Sequence, residues 1–279
     1  MSGNRFVLRR GTAAYPQLLE ESPDPPTLLY GIGDPAALVP GVAIVGARRP
    51  TPYGVRCTRM FAEAVASRDV CVISGAAIGC DSEAHRSALD ADGPTVAVLG
   101  CGPDVDYPQR SAGLLSRIRD RHAVVSECPF GQQPRRWAFV RRNRIIAALS
   151  RAVLVVEAGL PSGTFSTADA ALDAGRDVLA VPGSILSPES RGSNRLIRQG
   201  ATPITDVAEL CAALGIEHRV GSAVFGVDDP VMRALSADPM RPDDLARALG
   251  LDIVQAAVTL GRLEAAGLIR RHTDGRYSV

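Results

Sequence analysis

The sequence predicts an α/β protein: an extended Rossmann-type, doubly wound, mostly parallel sheet, followed by a small C-terminal winged-helix domain. Three observations predict it. Six short runs, apolar along their whole length, recur between residues 42 and 183. Amphipathic, helix-like stretches separate them. After about residue 220 the pattern changes to three helical segments and an Asp-Gly turn. Strands that are apolar on both sides need helices on both faces, which is the doubly wound arrangement. Three helices closed by a hairpin describe a winged helix-turn-helix.

Residues 1–40 are irregular and proline-rich (Tyr15-Pro16, Pro23-Asp24-Pro25-Pro26) and read as an extended lead-in segment. The strands then follow in order: VAIVG (42–46), VCVISG (70–75), TVAVLG (95–100), AVVSE (123–127), VLVVEAG (153–159) and VLAVPG (178–183). Helical segments between them include RCTRMFAEAVAS, SEAHRSALDA, GLLSRIRD, RNRIIAALS and STADAALDAG. A Rossmann-like domain is therefore expected over 41–215, a linker over 216–228 and the winged helix over 229–279. Its helices are DPVMRALSAD, RPDDLARALG and DIVQAAVTLGRLEAAG, and its turn is Thr273-Asp274-Gly275.

Composition narrows the chemistry. A hydrophobic content of 46% with 22% charged residues belongs to an ordinary globular chain. No apolar run reaches the roughly 18 residues of a membrane span, and the N-terminus lacks a signal peptide's apolar stretch, so a cytoplasmic protein without a membrane role is expected. The six cysteines are scattered singly, with no C-x-x-C pair, which predicts core thiols and no zinc site or disulfide framework. All 31 basic residues are arginine. Without lysine there is neither a P-loop lysine nor Schiff-base chemistry; phosphate would have to be met by arginine forks, backbone N–H groups or helix N-termini.

In an open parallel sheet, ligands bind beyond the carboxyl ends of the strands. After the first predicted strand stands Gly46-Ala47-Arg48-Arg49, just ahead of a helix start. It lacks the G-x-G-x-x-G of a dinucleotide site, so no NAD or FAD is expected. It reads as an anion site or as a plain turn with solvated arginines. After the second come Ser74, Gly75 and Gly79, whose small size lets backbone amides approach a phosphate. Asp81 and His85 follow one helical turn apart; they read as an N-cap and a packed residue rather than an acid–base couple. Ser162-Gly163-Thr164 opens a helix after the fifth strand. The densest feature is 135–144, where Arg135, Arg136, Arg141, Arg142 and Arg144 are interleaved with Trp137 and Phe139 and no acid occurs. Such a strip suits a nucleic-acid backbone, with aromatic faces for bases. Glu127 and Glu157, at two strand ends, read as structural carboxylates that cap loops or pair with arginines.

These segments together resemble the DNA-processing protein A family of bacteria (DprA, also called Smf). The matching stretches are YPQLL, IVGARRPTPYG, SGAAIGCDSEAH, VLGCGPDVDYP, SECPFG, RRNRIIAALS, VVEAGLPSGTFSTADAAL, GRDVLAVPGS and GSNRLIRQGA, over about residues 15–202. The resemblance implies single-stranded DNA binding without catalysis, cofactor or metal. It also implies a homodimer, and loading of the RecA recombinase on DNA entering during natural transformation. Carried over, the family's phosphate-gripping arginine falls on Arg48 and a second basic position on Arg136. The glycine-rich turns and Arg142-Asn143-Arg144 line the same groove. The chain departs from the family at Val140, where a proline is usual, and at Ala76, Cys80 and Thr164 to Ser166. Ahead of the core only the short lead-in is expected, in place of the family's frequent sterile-motif domain.

Two rivals are distinguishable by sequence. Related Rossmann proteins that hydrolyse nucleoside monophosphates carry a P-G-G-x-G-T-x-x-E turn, whereas Pro161 to Thr167 has no such glutamate. A duplex-DNA regulator would use the segment from Asp252 to Ala266, but that helix holds one arginine, Arg262, beside Asp252 and Glu264.

Overall fold

A computed structural model of the chain describes residues 3–217, 230–265, 267–272 and 274–279. The chain divides into two compact units, Met1–His218 and Arg219–Val279. Most of the expected linker, residues 218–228, lies outside the described residues, as does Thr273 of the expected turn.

The first unit holds a sheet of nine strands: β1 (Arg5–Arg9), β2 (Leu28–Gly33), β3 (Gly41–Val45), β4 (Val72–Ser74), β5 (Thr95–Val98), β6 (Ala123–Ser126), β7 (Ser150–Val155), β8 (Asp177–Ala180) and β9 (Thr202–Pro203). Their order is β1-β2-β6-β5-β4-β3-β7-β8-β9. The strands β3 to β9 run parallel. Its helices are α1 (Gln17–Glu20), α2 (Pro52–Ala66), α3 (Cys80–Asp90), α4 (Ala112–Arg121), α5 (Arg136–Leu149), α6 (Phe165–Asp173), α7 (Arg191–Arg198) and α8 (Val207–Ala213).

Alternation along the strands fixes which helices cover which face. Ala43, Val45, Ile73, Val98, Val125 and Val155 bury against Leu19, Ile145, Ile146, Ala168 and Leu196 of α1, α5, α6 and α7. The intervening Val42, Ile44, Val72 and Leu154 meet Phe61, Val65, Ala84 and Leu210 of α2, α3 and α8. On that same side α4 lays Leu115 and Ile118 on Ala97, Leu99 and Val124.

The first forty residues correct the expectation of a lead-in outside the domain. β1 and β2 form an antiparallel hairpin that pairs with β6 and extends the sheet. Two features hide them in the sequence: a long proline-rich connection, and Gly31 within β2. Gly31 is there to accommodate a ring, since a Cβ on it would fall 2.1 Å from the Phe6 Cζ.

The second unit contains α9 (Pro230–Ala237), α10 (Pro242–Leu249), α11 (Ile253–Ala265), β10 (Arg270–Arg271) and β11 (Tyr277–Ser278). Val231, Leu235, Leu245, Leu260, Ile269 and Tyr277 form its core. α10 ends at Gly250, whose φ of +64° permits the left-handed cap. The strands pair antiparallel, and Met240 adds a bridge to Tyr277.

Candidate nucleic-acid interface

The chain winds outward from β3 through β4 and β5 to β6, then returns to place β7 on the other side of β3. Helices leaving β3 and β7 take opposite faces, so a crevice opens where those two strands end. Three turns meet there. Gly79 has φ +94°, and a Cβ on it would fall 2.3 Å from the Ala47 carbonyl oxygen. The Cys80 N–H donates to that carbonyl at 3.1 Å. Gly46 lies against Cys80, and its carbonyl accepts from the Thr164 hydroxyl at 3.4 Å. Glu157, buried just past β7, accepts from the Thr51 N–H at 2.8 Å and the Thr51 hydroxyl at 2.6 Å. Thr51 in turn caps α2, with Pro52 in the first helical position. The β3 turn is thus pinned at both ends, and Arg48 and Arg49 project from it, exposed and without an ion-pair partner among the described residues.

α5 leads directly into parallel strand β7, so it starts at the carboxyl edge of the sheet and runs down it. Its first turn therefore stands on the same rim. Arg135 and Arg136 are exposed there, and neither has a carboxylate partner among the described residues. Phe139 lies over Gly100, where a Cβ would fall 2.8 Å from its ring, and against Tyr107 with ring centroids 5.3 Å apart. Trp137 is exposed beside them.

Further along α5 the arginines are spent on the protein itself. Arg141 makes a two-pronged pair with Glu127 at 2.9 and 3.1 Å. Arg144 bonds Asp24 and Glu127, each at 2.7 Å. Asn143 donates to the Ser166 hydroxyl at 2.8 Å, tying α5 to α6. Arg142 is buried, donates to the Val98 carbonyl and fills the space a Cβ on Gly75 would need, 1.9 Å from its Nη1. Burial pulls its guanidinium below the usual arginine range, with the charge of Asp81 opposing that and the charge of Arg48 adding to it. Arg48 is thus close enough to α5 for its field to be felt there.

The turn after β4 is also occupied from within. The Asp81 carboxylate accepts from the Ala77 N–H at 3.4 Å and from the Gly75 backbone. A nest of amides that would suit a phosphate holds a carboxylate instead. Burial raises the Asp81 pKa, and the positive charge of Arg142 resists the rise. Asp81 is not the N-cap of α3; Gly79 is, and Asp81 folds back from the first turn. His85 is a packed residue as expected, with Nδ1 2.7 Å from the Thr95 hydroxyl and its pKa pushed down to about 3 by burial.

The expected site residues therefore separate. Gly46, Ala47, Arg48, Arg49, Gly79, Arg136, Ser162, Gly163 and Thr164 gather at the rim. Gly163 is exposed with open space about it, although the Thr164 N–H is taken by the Ser162 hydroxyl at 3.2 Å. Ser74, Gly75, Asn143 and Arg144 are turned to the protein itself: Ser74 is buried and donates to the Ile44 carbonyl, and the others are committed as described. Arg142, though buried, reaches the wall of a cleft of about 180 Å³ that Trp137, Ala138 and Arg141 also line. Sequence reasoning left out Tyr107, whose ring extends the Phe139 face. Its Tyr-Pro pair after the third predicted strand was the available signal. Among the described residues no group of three His, Cys, Asp or Glu side chains could hold a metal ion.

Fold and rim define a doubly wound α/β protein whose strand-end crevice is edged by close backbone and by exposed arginines that have no ion-pair partner among the described residues. The chain belongs to the DNA recombination-mediator protein A family, which it matches over residues 6–215; residues 226–275 match the DprA winged helix domain. A putative DNA processing protein DprA of Mycobacterium tuberculosis is 40% identical over 91% of this chain and 69% of the relative. Protein Smf of Escherichia coli is 36% identical over 95% and 75%. Among solved structures, DNA processing protein A of Streptococcus pneumoniae superposes with a TM-score of 0.72 at 38% identity, covering 76% of this chain and 75% of that one. The Helicobacter pylori protein, whose structure is described for its single-stranded DNA binding mode, gives 0.69 at 30% identity, covering 76% and 96%.

Proposed function

We propose that this protein binds single-stranded DNA by its phosphates along the carboxyl rim of the sheet, without covalent chemistry, and hands the strand to the RecA recombinase during natural transformation. The observation that carries the reading is the set of four exposed arginines, Arg48, Arg49, Arg135 and Arg136, on one edge of the sheet, none with an ion-pair partner among the described residues. Aromatic faces of Phe139, Tyr107 and Trp137 stand beside them for stacking bases. The Helicobacter pylori relative's described binding mode supports the same substrate. RecA and a second copy of the chain are the partners that family membership suggests, and joining two rims would raise avidity on long strands.

A nucleoside-monophosphate hydrolase is disfavoured because the first turn of α6 carries no acidic residue. Duplex reading by the winged helix is disfavoured because the exposed face of α11 presents Ile253, Val254 and Val258, and Asp252 spends its carboxylate on the Val254 N–H at 2.8 Å. The decisive test is fluorescence anisotropy with labelled oligo-dT against duplex of equal length over a salt series. Tighter binding to the single strand is expected, with log affinity falling by about 0.7 per phosphate neutralised for each decade of salt. A salt-independent affinity contradicts a backbone grip.

A further inference from the structure

Beyond Arg48, on the side of the sheet covered by α2, α3 and α4, lies a cleft of about 230 Å³ lined by Pro50, Ile78, Ser82, Glu83, Arg110 and Ser111, among others. It is continuous with the rim, since the Gly79 that borders it would place a Cβ 2.9 Å from the Arg48 Cα. Two features give it an anion's complement, a free cation and an unbonded hydroxyl at a helix start. Arg110 is exposed at its wall and has no ion-pair partner among the described residues. Ser111, only 5% exposed, lines the cleft, yet its hydroxyl has no hydrogen-bond partner among the described residues. The hydroxyl keeps some access to the cleft, so water meets it there until an anion takes that water's place. Ser111 is also the residue from which the ten-residue helix α4 starts.

Glu83 does not make the cleft acidic. Its carboxylate is bridged by Arg59, with bonds of 3.1 and 2.9 Å, and by Arg86, which leaves Arg110 as uncompensated charge. The cleft is smaller than the roughly 300–1,000 Å³ of sites that enclose a small molecule, and has room for one phosphodiester.

Resting on the single-stranded DNA reading, we propose that this cleft seats a further phosphodiester of the same strand. After passing Arg48 the strand turns over Gly79 onto the α3/α4 face, where Arg110 and the Ser111 hydroxyl hold one more phosphate. The track then has two unequal parts: a rim that any short oligonucleotide engages, and an extension that only a longer one reaches.

The test compares oligo-dT of about six and about eighteen nucleotides by anisotropy, with wild type, Arg110→Ala, Ser111→Ala and Arg48→Ala. Arg110→Ala is expected to weaken the long oligonucleotide roughly three- to tenfold, lower its salt slope by about 0.7 and leave the short one unchanged. Ser111→Ala acts the same way but without the change in slope, because a hydroxyl releases no counterion. Arg48→Ala weakens both lengths. If Arg110→Ala leaves both lengths unchanged while Arg48→Ala weakens both, the extension is wrong and the rim stands. If Arg48→Ala changes neither, the rim reading fails first. Inorganic phosphate titrated at low salt provides the remaining arm. Saturable uptake abolished by Arg110→Ala, with long-strand affinity unaltered, would make the cleft a small-anion site and overturn its place on the strand's path.

Discussion

The rim of the sheet and the body of α5 are both rich in arginine, and the two regions use it in opposite ways. Arg135 and Arg136 enter α5 exposed and without an ion-pair partner among the described residues, as Arg48 and Arg49 leave β3. Two turns down the same helix, Arg141, Arg142 and Arg144 hold Glu127, the Val98 carbonyl, the Asp81 neighbourhood and Asp24. A guanidinium whose donors face carboxylates or carbonyls, or are shut off by burial like the Arg142 Nε and Arg144 Nη1, is not offered to a phosphate. The lesson is that a dense arginine strip is two devices in sequence: a docking edge and a clamp that fastens α5 to the strand ends so the edge keeps its shape.

The sharpest way to break this comparison is at the buried clamp. Arg142→Ala is expected to cost about 2–4 kcal/mol of stability, because it empties the socket at Gly75 and leaves the Val98 carbonyl without its donor. Urea unfolding measures it, and a loss below about 1 kcal/mol would show that Arg142 is no clamp. The next effect lies on the rim. Arg48→Ala with Arg136→Ala is expected to weaken oligo-dT of any sequence context by roughly thirty- to hundredfold and reduce the salt slope by about 1.4, with the urea midpoint unmoved. Loss of stability in that double variant would place these side chains in the clamp class instead.

Acidity separates the regions a third way. His85 is buried beside the clamp with a pKa near 3, against about 6.5 when unfolded. The unfolded chain therefore binds a proton between these values and the folded chain does not, so stability is full above about pH 6.5 and declines as pH falls toward 3. From pH 7 to 5 the loss is about 2 kcal/mol. The raised pKa of Asp81 works in the opposite sense, since the folded state keeps a proton the unfolded state would release. His85→Gln distinguishes the two, because it should flatten the decline seen in thermal melts. The smallest effect belongs to Arg144→Ala, whose pairs with Asp24 and Glu127 are partly exposed; a change of under about 1 kcal/mol is expected, with DNA affinity unaltered.

Much of this was legible before any coordinates. Six strands of the parallel sheet announce themselves because they are apolar on both faces, and the turns after them fall where a doubly wound sheet places its ligand. β1 and β2 did not announce themselves. They are antiparallel, and Gly31 and the prolines between them break the pattern of continuous apolar residues. At the site, Arg48 and Arg136 were legible as cations near strand ends. Which arginines remain free was not, because Arg142 and Arg144 find Val98, Asp24 and Glu127 only through tertiary folding, and the Asp81 carboxylate fills the β4 nest by folding back over its own turn.

The β1–β2 hairpin has a consequence for handling the protein. By lying against β6, β2 occupies the ladder of N–H and C=O groups that β6 would otherwise offer to solvent. The outermost strand, β1, carries Arg5 and Arg9 at its two ends, charges that discourage a second chain from adding there. A chain begun at residue 41 would keep every rim arginine yet bare a hydrophobic strand whose Val124 and Val125 are fully buried in the intact molecule. Such a truncation is expected to assemble edge to edge into aggregates, and the first forty residues serve as the guard against that fate.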